Sequence, residues 1–191
     1  PREWLGQPVA QARSTAIHES QSLFFEMQLA RGSDFLKVLR PLIVNQFGEQ
    51  PALEESNFIR LNQRVKPGLI RVDADEVSYP AHVILRYEIE RVLIVGEIEV
   101  EDIPALWNEK HSYLGLDTVG DYRNGCMQDI HWTDGAFGYF PTYTLGAMYA
   151  AQLFDSARSS MPKLSEDIAA GNLTELFHWL QQNIWRHASR Y

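Results

Sequence analysis

The sequence has 191 residues, with 17 Lys+Arg against 25 Asp+Glu, and its net charge of −8 argues against nucleic acid as a main partner. At 45% hydrophobic and 22% charged residues, the chain is globular and long enough to bury a core as one domain, or most of one. The single Cys126 excludes an intramolecular disulfide framework and favours a reducing, cytoplasmic compartment, and no uncharged apolar run approaches the length of a membrane span.

The stretch from Pro1 to Ala16 holds Gly6 and Pro8, reads as an irregular lead-in, and shows neither a start Met nor a signal-peptide pattern. From His18 the pattern turns helical, with Leu23, Phe24, Met27 and Ala30 at three- and four-residue spacing and a stop at Gly32-Ser33. Asp34 is the expected N-cap of a second helix reaching Phe47, which Pro41 should kink or split. Two β-prone runs, Phe58-Ile-Arg-Leu-Asn-Gln and Leu69-Ile-Arg-Val-Asp, flank the turn signal Val65-Lys-Pro-Gly, which predicts a β-hairpin near residues 57–73. Asp75-Glu76 then opens a long helix that Gly96 ends, the two acids suiting the positive end of its dipole. A short helix over Ile103 to Leu114 and a Gly/Asp/Asn-rich loop over 115–126 come next. After them stand a helix from Pro141 to Ala157 and a last one within Leu173 to Ala188. The fold class is mainly α with one small hairpin, and no repeat or linker marks a domain boundary.

Three clusters could carry chemistry. His18 and Glu19 adjoin at the start of the first helix, where neighbours point different ways, so they are unlike a pair that holds one ion together. A surface His and an acid at a helix N-terminus is the plainer reading. Alternation along the expected second strand puts Arg71, Asp73 and Asp75 on one face. That group is either a structural salt-bridge cluster or an Arg held ready for a substrate carboxylate, which its guanidinium fork suits. In Gly125-Cys-Met-Gln-Asp-Ile-His-Trp132, followed by Tyr139 and Tyr143, His131 and a tyrosine hydroxyl could donate to a developing oxyanion. A buried aromatic cluster around a hydrogen-bonded His explains the same residues. Cys126, among Gly and Met, reads as packing rather than as a nucleophile.

His18-Glu-Ser-Gln, Ile70-Arg-Val-Asp-Ala-Asp75 and Gly125-Cys-Met-Gln-Asp-Ile-His-Trp132 together resemble, in order, three signature motifs of the carboxypeptidase Taq family of HEXXH-type zinc metallocarboxypeptidases. The likeness runs from about Ala12 to the end and includes Phe137-Gly-Tyr-Phe-Pro-Thr-Tyr143. It implies a helical, two-lobed zinc-peptidase fold, usually homodimeric, acting on peptides with a free C-terminus. It further implies that Glu19 is a metal ligand, with His18 behind the metal or facing substrate. By the same likeness Arg71 receives the C-terminal carboxylate, and His131 with Tyr139 or Tyr143 stabilises the oxyanion.

The sequence also departs from that pattern. None of the 17 residues before His18 is a His, so the HEXXH that brings two zinc ligands and the general base is not in this sequence. Trp185 stands where the family commonly has His. The expectation is a single partial domain, the C-terminal portion of a zinc (or cobalt) carboxypeptidase, that binds no metal and is inactive by itself. The rival expectation is a truncated, non-catalytic helical remnant with a structural or self-associating role.

Overall fold

The structure, a computed structural model, describes residues 2–190. Its helices are α1 (Thr15–Leu23), α2 (Ser33–Phe47), α3 (Glu55–Asn62), α4 (Tyr79–Ile94), α5 (Ile103–His111), α6 (Pro141–Ser160), α7 (Leu164–Ala169) and α8 (Thr174–Asn183). The π-helical stretch Phe24–Ala30 continues α1, and no strand occurs among the described residues. The mainly α expectation therefore holds. The chain divides into two compact units, one formed by residues up to Gln63 together with those from Gly146 on, the other by Arg64–Leu145.

In the first unit α1 starts earlier than the apolar spacing suggested, because the Ser14 hydroxyl caps it by accepting the Ile17 N–H at 3.3 Å. Leu23, Phe24 and Met27 form its buried stripe. Phe24 meets Phe154 edge-on at 5.4 Å, and Phe25 stacks on Phe177 at 5.7 Å. Helix α2 is capped at Gly32 instead of Asp34, which falls in the first turn. Pro41 does not split α2, since it lies on an exposed face where water can take up the carbonyl its missing N–H leaves free. Helix α7, which the sequence reading did not foresee, packs on α2.

The β-hairpin expected near residues 57–73 does not form. Its first arm is α3, where the apolar residues serve a two-turn helix that buries Phe58 and closes with the Asn62 amide on the Phe58 carbonyl at 2.8 Å. The second arm runs through an irregular stretch into a 3-10 turn, Arg71–Asp73. Its backbone partner is a side chain rather than a strand. The Gln128 amide accepts the Arg71 N–H at 2.8 Å and donates to the Leu69 carbonyl at 3.0 Å, completing the pairing a β-neighbour would offer. Asp75 does not join Arg71 on a strand face. It caps the turn into α4, accepting the Val77 and Ser78 N–H groups, each at 2.9 Å.

The second unit is built on α4. Tyr79, His82, Val83, Arg86, Ile89 and Glu90 recur at three- and four-residue spacing and are all buried. Helix α5 packs on α4, and Trp107 joins Leu85, Ile89 and Ile103 in the core, with Cys126 and Trp132 against it. Burial pushes the Cys126 thiol up, as a packing residue requires and a nucleophile does not.

His82 and His111 face each other in this interior with ring centroids 5.4 Å apart, and none of their ring nitrogens makes a hydrogen bond of good geometry. Burial foremost, then the Arg86 charge, pulls His82 down to about 4, although Gly68 and Asp129 lean the other way. Burial also takes His111 to about 4, aided by His82 and Arg86. The fold thus favours the neutral rings, while the unfolded chain takes up protons near the ordinary histidine value. Stability is full above that value and is lost as pH falls from about 6.5 toward about 4. Between about pH 7 and about pH 5 the expected loss is on the order of 2 kcal/mol per histidine. Urea unfolding at the two pH values measures it, and coincident midpoints would contradict this account of the pair.

Candidate catalytic site

The 3-10 turn, α4 and the loop before α6 bring Arg71, Arg86 and Asp129 together inside the second unit. Arg71 is 6% exposed and Arg86 fully buried. The Asp129 Oδ1 accepts from Arg71 Nε at 3.1 Å and Nη2 at 2.7 Å, and its Oδ2 accepts from Arg86 Nε at 2.6 Å. Arg71 Nη1 reaches the Tyr79 hydroxyl at 3.3 Å, and Arg86 Nη1 the His82 carbonyl at 2.7 Å. The acid that answers Arg71 is therefore Asp129, not Asp73 or Asp75.

The electrostatics follow from this packing. Burial opposes the Arg71 charge, yet the hydrogen bond and charge of Asp129 outweigh it, so Arg71 is held above its ordinary value. For Asp129, burial raises and the two arginines lower, and the arginines win. Arg86 goes the other way. Burial foremost, with the Arg71 charge, brings it down to about 10 against the pull of Asp129. Its guanidinium stacks on Trp107 at 4.5 Å, a face that stabilises a cation without water.

His131 stands beside this cluster. Its Nε2 is 2.9 Å from the Tyr143 hydroxyl, and its Nδ1, which has no hydrogen-bond partner, is 3.9 Å from Asp129 Oδ1. Phe140 lies against the ring at 4.4 Å and Tyr139 at 5.7 Å. Arg71 lies over the Tyr143 ring at 4.7 Å. Burial first, then the two arginines, lower His131 against the pull of Asp129 and Asp134. A neutral imidazole bonded to a phenol is an arrangement that can donate to an oxyanion. The loop that carries it is held by Glu90, which accepts from Trp132 Nε1 at 2.9 Å and from the Gly138 N–H.

His18 and Glu19 belong to the first unit. Their side chains approach each other, with His18 Nδ1 3.9 Å from Glu19 Oε1, but His18 is 66% exposed and Glu19 only 15%. Glu19 sits where α1 and α6 touch backbone to backbone. A Cβ on Gly146 would stand 2.9 Å from the Glu19 Cβ, 3.1 Å from the Ser20 nitrogen and 3.2 Å from the Ala16 carbonyl. Gly146→Ala should therefore force the two helices apart and cost about 1–3 kcal/mol in thermal unfolding. An unchanged melting temperature would show that the contact can give way freely.

Among the described residues no three His, Cys, Asp or Glu side chains gather to hold a metal ion. Glu19 is a single donor, so this stretch does not by itself fit a three-ligand catalytic metal site.

Arg86, Gln128, Tyr79 and Gly146 were not singled out from the sequence. A signal for Arg86 was present, since it falls on the α4 face that also carries Val83 and Ile89. A charge at a core position needs a buried partner. Gly146, inside an otherwise continuous helical pattern, called for a packing reason.

The model of the carboxypeptidase Taq (M32) metallopeptidase family matches residues 1–191. Carboxypeptidase 1 of Bacillus subtilis is 39% identical over 190 residues, covering 97% of this chain and 37% of that protein. Thermostable carboxypeptidase 1 of Thermus thermophilus is 39% identical over 192 residues, covering 100% of this chain and 38% of that protein. Among solved structures, metallocarboxypeptidase 1 of Trypanosoma cruzi superposes with a TM-score of 0.88 at 52% identity, over 95% of this chain and 38% of that one. The sequence therefore spans well under half the length of the relatives it matches. The chain belongs to the carboxypeptidase Taq (M32) metallopeptidase family.

Proposed function

We propose that this chain is part of the single catalytic domain of a metal-dependent carboxypeptidase that releases C-terminal residues from peptides. The observation that carries the reading is the His131–Tyr143 hydrogen bond beside a buried Arg71–Asp129 pair, in a chain of a metallopeptidase family. In this reading His131 and Tyr143 stabilise the oxyanion of the tetrahedral intermediate, with Tyr139 packing behind them as the other candidate. Arg71 supplies the positive charge that selects a free C-terminal carboxylate. Glu19 is a metal ligand and His18 a neighbour that faces substrate. The metal is proposed as zinc, with cobalt as the alternative, and the further ligands and the general base as residues of the intact enzyme. This stretch alone is proposed to be inactive, and the intact enzyme to be a cytoplasmic homodimer.

Glu19→Gln in the intact enzyme tests the metal assignment. The expected result is zinc content well below one per chain after dialysis, since an amide oxygen is a far poorer ligand than a carboxylate. Undiminished zinc would rule out ligation by Glu19.

A further inference from the structure

Arg71 presents a difficulty for any carboxylate it is meant to receive, because its fork is already taken. The way it is taken is informative. Arg71 Nε and Nη2 both converge on Oδ1 of Asp129, at 3.1 and 2.7 Å, while Oδ2 belongs to Arg86 at 2.6 Å. This is a two-donor, one-oxygen contact, weaker than the two-oxygen pairing that a free carboxylate can offer the same fork. Release of Arg71 would not strand Asp129, which keeps Arg86, a cation anchored by the His82 carbonyl and Trp107. Two guanidinium groups around one carboxylate also leave a local surplus of positive charge. The further acids on α4 are engaged elsewhere, Glu90 with Trp132 and Gly138 and Glu88 with Lys110.

On its other side, Asp129 Oδ1 is 3.9 Å from the unpartnered Nδ1 of His131. A closing of about 1 Å would make that contact a hydrogen bond. Asp129 lies in the loop before α6 rather than in a helix, so a shift of that size needs no helix to move.

We propose that Asp129 is a stand-in carboxylate. It holds the Arg71 fork until the substrate's C-terminal carboxylate takes its place, and then, retained by Arg86, it turns to His131 Nδ1. The exchange couples recognition of the chain end to the residue that serves the oxyanion. It rests on the assignment of Arg71 to the substrate carboxylate. Asp129 and Arg86 act through Arg71 and His131 and are positioning residues. The charged and titratable groups facing His131 are Asp129, Arg71, Arg86, Asp134, Tyr139 and Tyr143. Once Arg71 is neutralised by substrate and Asp129 is free to approach, the charge change at His131 favours its protonated form.

The test uses the intact enzyme with N-acetyl-leucine as the carboxylate probe and N-acetyl-leucinamide as the control. In the wild type, the His131 imidazole resonance, identified by its loss in His131→Gln, should titrate about one unit higher with the acid bound and be unmoved by the amide. Asp129→Asn should bind the acid about fivefold tighter or better, because the internal competitor is gone, and should lose the shift. A folded Asp129→Asn enzyme with equal or weaker affinity for the acid would overturn the exchange. So would a wild-type His131 that does not move, and that arm decides the matter if the variant does not fold. Arg71→Ala separates the two assignments. If it binds the acid as well as wild type, the carboxylate role of Arg71 itself fails, whereas lost binding with an unmoved His131 in the wild type rejects only the exchange.

Discussion

Asp129→Ala is expected to destabilise the chain by about 3–5 kcal/mol. The side chain it removes is the common acceptor of Arg71 and Arg86, which are 6% and 0% exposed. Without it two cations remain buried with no carboxylate between them, and Arg86, fully buried on α4, cannot reach water without opening the packing of that helix. Burial foremost already brings Arg86 down to about 10 against the pull of Asp129, so Asp129→Ala removes the partner that keeps this buried charge in place. Urea unfolding followed by circular dichroism measures the change. A loss under about 1 kcal/mol would mean that the arginines are solvated or paired elsewhere in solution.

The second large expectation concerns activity. Arg71→Ala in the intact enzyme should lower kcat/KM on free-C-terminus peptides by about 2–4 kcal/mol, or roughly 30- to 1,000-fold. The same substitution should be gentler on the fold than Asp129→Ala, because Asp129 keeps Arg86 and no charge is left unpaired. That contrast separates a functional role from a structural one. If Arg71→Ala lost stability as severely as Asp129→Ala while cleaving peptides normally, Arg71 would be a core ion-pair member and nothing more.

Helix content was legible where one apolar face is buried in water-facing surroundings. The α8 face through Leu176 and Leu180 is of that kind, and so is the α1 stripe through Leu23, Phe24 and Met27, whereas α4 buries His82, Arg86 and Glu90 and leaves Ile84 and Tyr87 exposed. The hairpin misreading has a definite cause. Phe58-Ile-Arg-Leu is short enough to satisfy either period, and the strand partner that Leu69–Arg71 required was supplied by the Gln128 side chain, from more than 50 residues away. No local pattern announces such a partner. The end of α1 was visible at Gly32, but its π-helical winding was not, since one extra residue per turn leaves the apolar spacing only slightly altered.

The site was legible as residue types and only partly as a constellation. His131, Tyr139 and Tyr143 were picked out together, and the structure brings the three rings within 5.7 Å of one another. Arg71 was picked out with the wrong acids, because the face it shares with Asp73 and Asp75 exists only in a strand. Asp129 lies 58 residues further along, and its tie to Arg71 is a long-range fact of folding. Arg86 is legible after the fact as a charge on an otherwise buried helix face.

We propose that this chain serves an enzyme that needs a free peptide C-terminus. One measurement addresses it most directly: digestion by the intact enzyme of a peptide and of the same peptide amidated at its C-terminus, followed by mass spectrometry. The account predicts stepwise loss of residues from the acid and none from the amide at matched times. Equal trimming of the two, or internal cleavage of either, would contradict it.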